Sequence, residues 1–124
     1  MKNVISSDKA PAAVGPYSAG IATASAVYLS GQLPINPETG SMPEGIEAQT
    51  AQSLKNVEAL LESAGLTFDN VVKTTVLLSD IADFAAMNTV YEKTFKAPFP
   101  ARSAFAVKAL PKGALVEIEC VAVK

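Results

Sequence analysis

The sequence predicts an α+β fold in which a mixed β-sheet carries two helices on one face. Residues 46–64 and a stretch beginning at residue 84 show the spacing of apolar residues that is typical of amphipathic helices. Strand-like runs precede, separate and follow them, giving the order β-β-β-α-β-α-β-β without internal repeats. Strands separated by two helices indicate a helix layer on one side of the sheet. The chain of 124 residues suits one domain, residues 1–124.

The N-terminal part predicts three short strands. Residues 2–6 form the first, and residues 18–31 form two more, joined near Ala24 and Ser25 and closed by Gly31. Residues 32–45 are rich in proline and glycine. We expect an ordered loop there, since this is long for a structureless connection in a compact domain.

Two helices flank a buried strand. In residues 46–64, Leu54, Val57 and Leu61 form an apolar stripe, and Gly65 is expected to end the helix in a left-handed conformation. Residues 71–78 are β-branched and predict a strand.

The second helix is expected to begin at Asp80, a capping residue with acidic Asp83 three positions on. Asn88 lies beside its apolar stripe, with a solvated or locally bonded amide as its default interpretation. Prolines within residues 96–100 end the helix. The stripe consists of Phe84, Met87, Tyr91 and Phe95.

Two last strands are predicted at residues 103–109 and 114–123, meeting at residues 110–113. Alternation places Glu117 and Glu119 on one face of the second strand, opposite an apolar face that includes Cys120. Arg102, the only arginine, stands at the entrance to the first strand and shares a face with Ala104. In a simple hairpin Arg102 and Glu117 would lie roughly 20 Å apart, so they could work together only across other strands or across subunits.

Composition excludes several functions. The net charge of −2 and pI near 5.0 give no basic footprint for nucleic acid or for a membrane surface. The lack of histidine removes the commonest general base and metal ligand, so chemistry must rest on carboxylates, tyrosine, lysine, backbone groups or water. A single cysteine fits a reducing cytoplasm. The 49% hydrophobic content and the uncovered sheet face predict a homo-oligomer.

A lone arginine beside small and apolar residues favours recognition of an anion, because a guanidinium grips a carboxylate through two parallel hydrogen bonds. A surface ion pair is the alternative. The segments APAAVGPYS, YLSGQLPINPETG, KTTVLLSDIADFAAMNTVYEKTF and above all PARSAFAVKALPKGALVEIE resemble the YjgF/YER057c/UK114 or RidA family of reactive intermediate deaminases over essentially the whole chain.

The resemblance implies a chorismate-mutase-like fold of the bacillus type, assembled as a homotrimer with clefts between subunits. It also implies hydrolysis of enamines and imines, namely 2-aminoacrylate, 2-aminocrotonate, 2-iminopropanoate and 2-iminobutanoate, to 2-keto acids and ammonia. Neither a cofactor nor a metal is implied.

The resemblance assigns Arg102 to the substrate carboxylate and Glu117 to the attacking water. Ala104 stands where many members have cysteine, which weakens thiol-linked activities more than deamination. The other matching cleft positions are Tyr17, a second catalytic candidate, and Ser30, Gly31 and Asn88. Two alternatives stay open: a keto-acid-binding or regulatory module without turnover, and a ribonuclease or translation inhibitor, which the acidic balance and missing histidine disfavour.

Overall fold

The computed structural model describes residues 1–124, which form one six-stranded sheet in the order β1-β2-β3-β6-β4-β5. The predicted α+β class, with a mixed sheet and two helices, is confirmed. No helix is long and apolar enough to cross a membrane. The elements are β1 (Asn3–Ile5), β2 (Gly20–Ala22), β3 (Ala26–Gln32), α1 (Ile46–Ser63), β4 (Val71–Leu78), α2 (Phe84–Thr94), β5 (Ala101–Ala106) and β6 (Val116–Val123).

The two helices pack on the same face of the sheet. One cluster of 21 buried residues unites Leu60 of α1, Met87 of α2 and Ile118 of β6, all three fully buried. The opposite face is left open, with Tyr28 51% exposed and Phe105 47% exposed. We call this the open face of the sheet.

Both helices follow their predicted patterns. Leu54, Val57 and Leu61 are buried along α1, and Gly65 ends the helix with φ 76°. The Asp80 carboxylate accepts a hydrogen bond from the Ala82 amide (2.9 Å), which caps a short 3₁₀ turn leading into α2.

The predicted bounds of the last two strands were wrong. β5 spans Ala101–Ala106 because it pairs in parallel with β4, which ends at Leu78, opposite Ala106. Beyond that point the Val107 amide still bonds the Leu78 carbonyl (2.8 Å), and the chain then leaves the sheet although its apolar alternation continues. β6 likewise begins only at Val116. Arg102 is therefore the second residue of β5.

The loop after β3 is ordered, as predicted, because α1 holds its carbonyl groups. Ser53 Oγ donates to the carbonyl of Gln32 (2.7 Å), and Asn56 Nδ2 donates to those of Leu33 (3.0 Å) and Ile35 (2.9 Å). Asn56 is fully buried, so water does not compete for these bonds.

We expect Asn56→Ala to lower the free energy of unfolding by about 2–3 kcal/mol, because two loop carbonyl groups lose their donor. Urea denaturation followed by circular dichroism measures this loss. Glu58→Ala, an exposed change on the same helix, is the control and should stay within about 0.5 kcal/mol. Equal stabilities of the two variants would contradict the anchoring role of Asn56.

Candidate active site

Arg102 lies on the helix face of the sheet. It pairs in register with Thr74 of β4, a fully buried residue whose Oγ1 shares a hydrogen bond with the Tyr91 hydroxyl of α2 (2.7 Å). Residues in register across a sheet point to the same side. The arginine side chain is therefore directed toward α2.

Three residues of α2 surround the guanidinium group. Its Nη1 donates to Asn88 Oδ1 (2.6 Å), and its central carbon lies 4.7 Å from the ring centroid of Tyr91 and 5.4 Å from that of Phe84. Rings at this distance attract a cation through their negative faces. The Asn88 amide is thus not solvated but accepts a hydrogen bond from Arg102. We call Phe84, Asn88, Tyr91 and Arg102 the arginine half-site.

A surface cavity of about 420 Å³ opens beside this half-site. Asn88 accepts a hydrogen bond only from Nη1 of Arg102, so the guanidinium edge formed by Nε and Nη2 has no hydrogen-bond partner within the chain. That edge can receive a carboxylate through two parallel hydrogen bonds. The cavity is lined by Asn88, Tyr91, Glu92, Phe99, Pro100 and Arg102.

Glu117 lies on the open face, next to a bulge in β3. Leu29 pairs with Cys120 and Gln32 with Ile118, so β3 has one residue more than β6 between these pairs. A β-carbon at Gly31 would collide with the Glu117 carboxylate. Glycine is therefore required for the carboxylate to lie against the bulge, and we call Ser30, Gly31 and Glu117 the glutamate half-site.

Ser30 ties the loop that carries Tyr17 to the same bulge. Ser30 Oγ donates to the Ser18 carbonyl (2.6 Å) and its amide donates to the Ala19 carbonyl (2.9 Å). The neighbouring Tyr17 is 54% exposed and lines a separate surface cavity together with Val4 and Ala19.

The structure does not bring Arg102 and Glu117 together within one chain. β4 lies between their strands, and three residues of offset along β6 separate them further. Strand spacing and rise put their backbones about 14 Å apart. Register also places them on opposite faces, because Arg102 aligns with Thr74 and Cys120 whereas Glu117 aligns with exposed Phe105 through Leu77. Ala104 shares the arginine face and packs against the core.

Burial distinguishes the two carboxylates of β6. Glu117 is half-buried, and desolvation, with a smaller contribution from the like charge of Glu119, raises its pKa. Glu119 is exposed. Burial raises the pKa of Cys120 to about 12, so this thiol stays protonated. No group of three or more acidic or cysteine side chains is placed to hold a metal ion.

Sequence reasoning missed Phe84 and Tyr91 as site residues, because their spacing marked them only as core. The available signal was position: Phe84, Asn88 and Tyr91 follow one another at intervals of four and three, which places them on one helix face. A polar residue on that face indicates that the face does more than pack.

Residues 7–124 match a family profile described as endoribonuclease L-PSP. The chain is 49% identical to the 2-iminobutanoate/2-iminopropanoate deaminase of the goat Capra hircus over 125 residues, covering 100% of this chain and 91% of the goat protein. The chain belongs to the RidA/L-PSP family.

Solved structures of the RidA/L-PSP family agree with this fold. YyfA from Yersinia pestis, described as a Rid family protein of unknown function, is 50% identical and has a TM-score of 0.97 over 100% of both chains. TdcF from E. coli, solved with bound serine, is 41% identical and has a TM-score of 0.95 over 98% of both chains.

We expect Glu119→Gln to lower the pKa of Glu117, because it removes the neighbouring negative charge. Carbon-detected NMR of the side-chain carboxyl shift against pH measures this, and an unchanged Glu117 titration would contradict the coupling.

The raised pKa of Glu117 also means that the folded chain binds the proton of this carboxyl group more tightly than the unfolded chain does. The free energy of unfolding should therefore fall as pH rises from about 4.3 through the Glu117 titration, and Glu117→Gln should flatten that decline.

Proposed function

We propose that this chain is a 2-iminobutanoate/2-iminopropanoate deaminase that works without a cofactor or a metal. The observation that carries the proposal is the free Nε–Nη2 edge of Arg102, held beside a cavity of about 420 Å³. This geometry fits a small carboxylate, which every 2-imino acid carries. The goat relative bears the name of this activity, and TdcF is known with serine, another small 2-substituted carboxylate.

The reaction needs little from the protein. An enamine such as 2-aminocrotonate tautomerises to 2-iminobutanoate, water adds to C2, and the C–N bond breaks. The products are 2-oxobutanoate and ammonia, and the nitrogen takes up the protons released by the attacking water. The same steps convert 2-iminopropanoate, formed from 2-aminoacrylate, into pyruvate. Holding the substrate and orienting the water are therefore the main requirements.

The residues take the following roles. Arg102 binds the carboxylate, with Asn88 fixing its guanidinium. Glu117 orients the attacking water and exchanges protons, a role that its raised pKa suits because a general acid–base group works best near the operating pH. Ser30 and Gly31 shape the surface beside Glu117, Tyr17 supplies a hydroxyl to the site, and backbone groups at Ala104 help to hold the substrate.

The complete site forms between subunits of a homotrimer of the chorismate-mutase-like type. Opposite sheet faces of one chain carry the two half-sites, so a cleft with both requires a second copy. Exposed apolar side chains on the open face, including Tyr28 and Phe105, supply the surface for that contact. The single buried cysteine suits a reducing compartment, and the cytoplasm is the proposed location.

The decisive test adds the protein to a threonine dehydratase reaction that contains a competing amine as a trap for the imine. The proposal expects faster release of 2-oxobutanoate and ammonia and less trapped product. Equal rates with and without protein would favour a keto-acid-binding module instead. Cleavage of RNA that is lost in Arg102→Ala would favour the ribonuclease alternative.

We expect Glu117→Gln to lower kcat by about 100-fold or more, because the variant can neither accept nor donate the proton. Glu119→Gln is the matched control, since Glu119 lies two residues along the same strand face but is exposed. It should keep kcat within a few-fold. Equal losses in both variants would contradict the catalytic role of Glu117.

Mixing two inactive variants tests the shared site. Arg102→Ala and Glu117→Gln chains, unfolded together and refolded, should regain activity at about one quarter of the sites, because random assortment pairs an intact Arg102 with an intact Glu117 there. The double variant mixed with either single variant is the control and should stay inactive. Absence of recovery in mixed oligomers, or a monomer mass in sedimentation, would contradict a site built from two chains.

A further inference from the structure

The arginine half-site reaches from the cavity into the core, because Tyr91 lines the cavity and is also buried. Tyr91 is only 4% exposed, its ring lies 4.7 Å from the guanidinium carbon, and its hydroxyl bonds to Thr74 Oγ1 (2.7 Å). Its other neighbour is Phe95, with ring centroids 4.6 Å apart. The Tyr91 ring is thus held from β4 and from the core at once.

Thr74 links this ring to the arginine by a second route. Thr74 pairs in register with Arg102 across β4 and β5, so one buried residue sets the backbone position of Arg102 and also anchors the ring beside its side chain. Burial raises the pKa of Tyr91, which keeps its hydroxyl protonated and its ring neutral. A change in this ring therefore alters where the guanidinium can lie.

We propose that Tyr91 is a positioning residue that orients the Arg102 guanidinium, so that its Nε–Nη2 edge is available to the substrate carboxylate before binding. Asn88 holds Nη1 from one side, and the rings of Tyr91 and Phe84 restrict the plane. An arginine ordered in advance loses less side-chain freedom when it binds its ligand. The inference rests on the proposed function, and it explains why the site would select substrates that carry a carboxylate.

The experiment compares Tyr91→Phe, Tyr91→Leu and Phe84→Leu with the unaltered protein. The phenylalanine keeps the ring but loses the Thr74 bond, so KM should rise only two- to threefold, whereas Tyr91→Leu should raise KM about tenfold with kcat nearly unchanged. Phe84→Leu removes the other, half-buried ring and should raise KM severalfold. It keeps the test open if Tyr91→Leu does not fold.

Calorimetry compares binding of 2-oxobutanoate with binding of its neutral amide. A general loss of rigidity in the site would weaken both, whereas a misoriented guanidinium would weaken only the binding of the carboxylate. Tyr91→Leu should weaken binding of the carboxylate about tenfold and leave binding of the amide unchanged. Phe68→Leu is the matched control, because Phe68 contacts Phe95 (5.1 Å between centroids) one ring further from the arginine. It should alter thermal stability but not this selectivity.

An equal effect of Phe68→Leu and Tyr91→Leu on carboxylate binding would overturn the inference. So would wild-type affinity of Tyr91→Leu for the carboxylate, or equal weakening of acid and amide in that variant. If the unaltered protein does not accelerate imine hydrolysis, the proposed function fails, yet the calorimetry still decides whether Tyr91 orients Arg102.

Discussion

The parallel pairing of β5 with β4 is the constraint on which the rest of the structure depends. It moves Arg102 away from β6 and inserts a whole strand between the arginine and Glu117. It also determines which face of the sheet each residue occupies, because Thr74 pairs in register with Arg102 of β5 and with Cys120 of β6. The crossover through α2 then brings Asn88 and Tyr91 over the arginine. One choice of strand partner thereby separates the two half-sites and completes one of them.

Separation has an electrostatic benefit within a single chain. A guanidinium next to a carboxylate would form an ion pair and lose its free edge. Here the partner of Arg102 is the neutral amide of Asn88, so the positive charge stays available for a ligand. Glu117, on the other face, is influenced by burial and by Glu119 and not by a cation, so its pKa is raised and not lowered.

Local patterns sufficed for much of the fold. The stripe of α1 and the run of β4 were predictable because each buries one face against the core, and burial leaves a periodic signature. The end of β5 was not, since apolar alternation continues through Val107 although β4, its partner strand, has already ended at Leu78. The relation of Arg102 to Glu117 was equally hidden, because strand order is a non-local property. Tyr91 was correctly assigned to the core, but its contact with the guanidinium could not be read from spacing alone.

The place of β6 in the sheet has a consequence for biosynthesis. β6 follows every other strand in the chain, yet it lies between β3 and β4 and contributes fully buried Val116 and Ile118. On the ribosome, the earlier strands are made before the strand that joins them, so their apolar edges wait unpaired at a synthesis rate of about 5–20 residues per second. Completion of the sheet therefore waits until β6 has been synthesised, and until then β3 and β4 each keep an unpaired edge.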